Sequence, residues 1–201
     1  MFISFAKTFA QEEARCVRIN NFSVEERNQN YPFNKAARIV FASFEEDPKK
    51  LSKKQIDKLI KQSLLELDKS GKIEEFIHGS IIKMYFDELK NNFSYYDADC
   101  FEEKVDLNEE QKNEFTDLIF NFGIKAKDLG SIGSGCYTPR NAVLFFDENN
   151  QLFGFLEICF QCNGFRKSSK NIDLYDECGE KLYLLKDQFA KAGIQYGVKK
   201  K

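Results

Sequence analysis

Two apolar runs near the C-terminus, Ala142-Val-Leu-Phe-Phe-Asp147 and Leu152-Phe-Gly-Phe-Leu-Glu-Ile-Cys-Phe160, are separated only by Glu148-Asn149-Asn150-Gln151. Both are rich in aromatic and branched side chains, and asparagine tolerates positive φ, so the pair reads as an antiparallel hairpin. A two-residue turn at Asn149-Asn150 sets Glu148 against Gln151. The same ladder sets Arg140 against Cys159, with Glu157 diagonal to Arg140. Every other element must be placed around this hairpin.

The chain has 201 residues, of which 42% are apolar, enough for one domain with a sizeable core. Arg38-Ile-Val-Phe-Ala-Ser-Phe44 reads as a further strand. Two capping sequences follow, Ser52 before Gln55 and Asn108 before Gln111. The first opens a helix to about residue 68. The second opens one with Phe115, Leu118, Ile119 and Phe122 inward, closed by Gly123. A Phe-Glu-Glu precedes each, at Phe44 and Phe101, from a duplicated strand-to-helix unit or from the same capping chemistry arising twice. Residues 73–89 suit a helix or a strand equally. Residues 180–192 form a closing helix with Leu182, Leu185, Phe189 and Ala192 inward, stopped by Gly193. The fold class is α+β, an antiparallel hairpin plus at least one further strand packed with three or four helices.

A net charge of -2 with both signs interspersed gives no basic footprint for nucleic acid or an anionic membrane. No run of eighteen apolar residues exists, so no membrane span is expected. The partner is then a protein or a small ligand. Residues 1–11, Met1-Phe-Ile-Ser-Phe-Ala-Lys-Thr-Phe-Ala-Gln11, read as the remnant of an export signal or as an ordinary first element. A single domain over 12–198 follows, with a cysteine-rich module at about 98–197. The tail Val198-Lys-Lys-Lys201 reads as a solvated end.

Six cysteines occur, four of them at Cys136, Cys159, Cys162 and Cys178. Alternate strand residues face opposite sides, so Cys159 and Cys162 can share a ligand only on a turn, and Asn163-Gly164 supplies one. These four sulfurs are candidate ligands for Zn2+, although one Cys-x-x-Cys with two isolated cysteines is half of a zinc pattern. The rival reading is a set of disulfides, with Cys136 joined to Cys159 or Cys162 by the hairpin register. Cys16 and Cys100 then pair or remain as small buried hydrophobes. A redox or nucleophilic thiol is a third reading, with Arg140 and Arg166 as neighbouring cations and His78 as the one histidine able to act as base. Glu157, in an apolar strand on the face of Cys159, Phe155 and Phe153, is either a functional acid or the partner of Arg140 in a cross-strand ion pair.

Cys136-Tyr-Thr-Pro-Arg140, the hairpin after it and its closing Cys159-Phe-Gln-Cys162 resemble a group of uncharacterised bacterial proteins, many of them exported. These carry a Cys-Tyr-x-Pro-Arg segment before a hairpin ending in Cys-x-x-Cys. The resemblance spans roughly residues 98–197; it implies a shared domain and brings no established activity. The expected function is a non-enzymatic extracytoplasmic binding or structural domain stapled by cysteines, with no cofactor. A zinc-binding or thiol-dependent enzyme on the Cys159 and Cys162 face is the alternative from another class, and a cytosolic partner-binding or inhibitor protein is a third.

Overall fold

The computed structural model describes residues 16–45, 81–124, 137–172, 174–175, 178 and 180–199. The helix expected from Ser52 to residue 68, His78, the glycine loop at 130–135, Cys136 and residues 1–11 lie outside the described residues. The strands are β1 (Val17–Arg18), β2 (Arg38–Ser43), β3 (Glu103–Asp106), β4 (Phe122–Gly123), β5 (Asn141–Phe146), β6 (Leu152–Cys159) and β7 (Gly164–Lys167). The helices are α1 (Val24–Asn28), α2 (Ile81–Asn91), α3 (Glu109–Asn121) and α4 (Lys181–Ala192). Strands β3-β2-β5-β6-β7 form one antiparallel sheet in that order, and β1 pairs with β4 in a second. The protein is therefore α+β, as the sequence predicts.

Every residue of β5 is buried, because the sheet is covered on both faces. Val143 and Phe145 join Phe115 and Ile119 of α3 and Leu185 and Phe189 of α4. Ala142, Leu144 and Phe146 join Ile82, Phe86 and Leu89 of α2 on the other side. An unbroken apolar run is thus the expected pattern even in an antiparallel strand, since neither face meets water. Each fully buried phenylalanine contributes about 1.5–3 kcal/mol. Phe41 of β2 stacks on Phe189 with ring centroids 3.9 Å apart, which ties the sheet to α4.

The hairpin keeps the predicted register but reaches it differently. Asp147 bonds Gln151, leaving a three-residue loop in which Asn150 takes φ 57°. Phe146 pairs with Leu152, whereas Phe145 pairs with Gly154, so Phe153 is an extra residue on β6. This bulge restores the expected pairing of Ala142 with Glu157. It also turns Phe153 to the α3/α4 face, against Tyr31 and Phe145, away from the face of Phe155 and Glu157.

The two helices at either end of the described core start and stop for local reasons. Asn108 and Gln111 cap α3 reciprocally. The helix ends at Asn121, and Phe122 is extended instead of adding a turn. The N-terminal segment takes the helix end: the Ile19 N–H bonds the Asn121 carbonyl, and the Asn121 side chain both accepts from Phe22 N–H and donates to its carbonyl. Gly193, at φ 108°, closes α4, whose Leu182, Leu185 and Phe189 are buried. The ambiguous stretch at 73–89 is helical from Ile81 onward, with Ile82, Tyr85, Phe86 and Leu89 inward. No helix among the described residues is long and apolar enough to cross a membrane.

Candidate functional site

Of the sequence-selected residues, Arg140, Glu157, Cys159 and Cys162 gather at one end of the sheet, where β2 and β6 finish and β3, β5 and β7 begin. Arg140 extends β5 there, donating its N–H to the Ile158 carbonyl and accepting from Phe44 N–H. Beyond Cys159 the chain turns through Asn163, at φ 48°, and returns as β7. The Cys162 N–H donates to Cys159 Sγ at 3.2 Å, so the Cys-x-x-Cys pair meets on a turn as its spacing requires.

The fourth sulfur is elsewhere. Cys178 is bonded to Cys16, their Cα atoms 5.3 Å apart, which removes it from the expected set of Cys136, Cys159, Cys162 and Cys178. This staple joins the strand that pairs with the end of α3 to the segment leading into α4, a long-range encounter that hairpin register could not supply. Cys100 is a free buried thiol beside Tyr85, its pKa pushed up to about 12 by burial and by the Asp97 charge. Among the described residues Cys159 and Cys162 offer a zinc ion two of the four donors it needs, and no cluster of three or more His, Cys, Asp or Glu side chains there stands ready to hold a metal.

Glu157 is not paired with Arg140. It lies directly across from Arg166 of β7, whose guanidinium reaches Glu157 Oε2 at 2.6 and 2.7 Å. The register explains the correction: β7 is a nearer neighbour of Glu157 than the diagonal position on β5. Glu157 is 1% exposed, and its Oε1 has no hydrogen-bond partner among the described residues. Burial raises the carboxyl to about 7, against the opposing charge of Arg166 and with help from Asp87. Arg166 also reaches Asp87 of α2 at 3.3 Å and packs on the Tyr137 ring, whose hydroxyl donates to the Glu157 carbonyl. A void of about 40 Å³ beside these groups has room for a water or two.

A larger feature adjoins the Cys-x-x-Cys turn. The C-terminal segment after α4 folds back across the sheet end, leaving a cleft of about 800 Å³ whose walls include Arg140, Phe160, Gln161, Tyr183, Lys186 and Lys199. This volume falls within the range of small-molecule sites. Two devices hold the segment in place. Glu103 accepts the N–H groups of Gln195 and Tyr196 and the Ser43 hydroxyl, and Asn141 Nδ2 donates to the Tyr196 carbonyl. Gly197, at φ 74°, has backbone so close that a Cβ would sit 2.4 Å from Asn141 Oδ1 and 2.8 Å from Arg140 Cβ.

No family model, curated protein or solved structure matches the chain. Its chemistry must be argued from the cleft itself.

Sequence reading selected Arg140 for this site and missed Tyr183, Lys186 and Lys199. Two signals were present. Tyr183 and Lys186 are three apart on α4, on the side left open by Leu182, Leu185 and Phe189. The tail at 198–201 reads as a solvated end on composition alone, whereas Gly197 marks the close approach that turns Lys199 toward the cleft.

Proposed function

We propose that this protein is an extracytoplasmic binding domain whose cysteine-stapled frame presents the cleft at the sheet end to a small ligand. The cleft carries this reading: its rim couples the Cys-x-x-Cys turn, Arg140 and the pinned C-terminal segment. Its lining offers a guanidinium, two ammonium groups, two phenols and two amides. The Glu103 carboxylate is committed to backbone N–H groups and Ser43, so it serves to hold the segment, and the lining suits recognition better than proton transfer. The Cys16–Cys178 bond supports an oxidising compartment, in keeping with the resemblance to exported proteins.

The test is thermal denaturation of the oxidised protein against a small-molecule panel, with hits mapped by amide and tyrosine NMR shifts. A ligand that raises the melting temperature and perturbs Tyr183, Tyr196 and Gln161 is the expected result. Hits that map elsewhere, or an absence of hits, would sink the reading. A metal- or thiol-dependent enzyme is the second reading, favoured by the Cys162 N–H on Cys159 Sγ. Metal analysis and alkylation of natively purified protein decide it: bound zinc or two rapidly alkylated thiols would shift the proposal to that chemistry.

A further inference from the structure

We infer that the cleft takes a small molecule carrying an oxyanion, a carboxylate or phosphate, on a planar ring, with Arg140 holding the anion. This rests on the cleft being a binding site and deepens that reading by naming the ligand class.

The argument begins with how this chain treats its arginines. Arg18 and Arg27 share Asp117, Arg38 pairs with Asp106, and Arg166 pairs with Glu157 and Asp87. Among the described residues Arg140 is the one arginine in no ion pair, although it is half-buried and the whole chain carries 32 acidic side chains against 30 basic ones. Lys186 and Lys199 line the same cleft and form no ion pair among the described residues. Three like charges around one concavity repel one another, and an anion placed among them is attracted by all three. One carboxylate, Glu103, lines the cleft as well, but its single charge is held on the Gln195 and Tyr196 N–H groups and offsets only one of the three, so the lining keeps an excess of two positive charges. The β5 ladder and the close approach of Gly197 fix where the Arg140 side chain starts at the cleft, and a planar guanidinium fork matches a two-oxygen acceptor. Tyr183 is 54% exposed on the same wall, a large apolar face left in water beside the cationic end. An exposed aromatic next to an unpaired guanidinium fits a ring bearing an acid group better than a bare ion.

The experiment is calorimetric titration of the oxidised full chain with phenyl phosphate, isophthalate, inorganic phosphate and neutral phenol, each also followed by NMR. We expect one or both aromatic oxyanions to bind at the cleft at least about tenfold more tightly than phenol, and the better one to identify phosphate or carboxylate as the acid group. Arg140→Gln should weaken that ligand by about tenfold or more, and Lys186→Gln, on the helix surface where folding is not at stake, by several-fold with unchanged melting temperature. Tyr183→Ala should weaken the aromatic oxyanion and leave inorganic phosphate unaffected. Equal binding of phenol and the oxyanions at the cleft, or a panel hit there that is neutral or cationic with no oxyanion bound, would overturn the anion assignment and leave the binding domain standing. No ligand of any charge at the cleft would overturn both. Oxyanion binding indifferent to Arg140→Gln and Lys186→Gln would place it elsewhere and overturn the assignment.

Discussion

A carboxylate held away from water with one oxygen unsatisfied makes folding depend on pH in an unusual direction. The Glu157 carboxyl sits at about 7, above its ordinary 4.5, so the folded protein holds that proton more tightly than the unfolded chain. Its contribution is complete below pH 4.5 and falls as pH rises to about 7, a loss on the order of 3 kcal/mol. Urea denaturation between pH 5 and 8 should show this decline in the wild type and a flat profile in Glu157→Gln; a flat wild-type profile would contradict the assignment. Asp117 works in the opposite sense. Burial opposes its ionisation, but hydrogen bonds from Arg18 and Asn121 and the charges of Arg18 and Arg27 outweigh this and hold the carboxyl low. That stability is present above the ordinary carboxyl range and is lost as pH drops through the lowered value. Asp117→Ala strands Arg27, which is 5% exposed, and should cost on the order of 3 kcal/mol in urea melts at pH 7.

Among the elements, the position of the C-terminal segment depends on a missing side chain at Gly197. Gly197→Ala must displace the Asn141 side-chain amide and Arg140 Cβ and carry a side chain at positive φ, which we expect to destabilise by about 1–3 kcal/mol. Hydrogen exchange at the Tyr196 amide, protected by Glu103 in the wild type, should accelerate; unchanged exchange would show that the clamp survives. The hairpin register was legible because it depends on neighbours in sequence, and the same holds for the Asn108–Gln111 box and the Gly193 stop. The Phe153 bulge was not legible, since a two-residue turn and a three-residue loop with one extra strand residue give the same pairing beyond Phe145. The partner of Glu157 depended on where β7 returns, and Asn163-Gly164 announced a turn without fixing the register after it. The end of α3 was set by Ile19 and Phe22, about a hundred positions earlier in the chain, a competition that helical periodicity does not contain.

For the molecule as a whole, the Cys16–Cys178 bond closes a loop containing almost every described element. Chain entropy alone assigns such a long loop a stabilisation of about 5 kcal/mol, and measured losses of native disulfides run at about 2–5 kcal/mol. Replacing both cysteines with serine should lower the urea midpoint accordingly, and reductant should lower the wild type to the same value without affecting the double variant. An unchanged midpoint would mean that the packing of α1 and β1 on α3 holds the N-terminal segment unaided. The position of the bond also decides where force travels. Tension applied between residues 16 and 199 would pass from Cys16 directly to Cys178 and through α4. The five-stranded sheet would lie off the load path until the bond was reduced. An oxidised molecule stretched this way could extend by only about 70 Å, whereas the same chain after reduction could yield about 600 Å, so the staple would act as a chemically gated stop on mechanical unfolding.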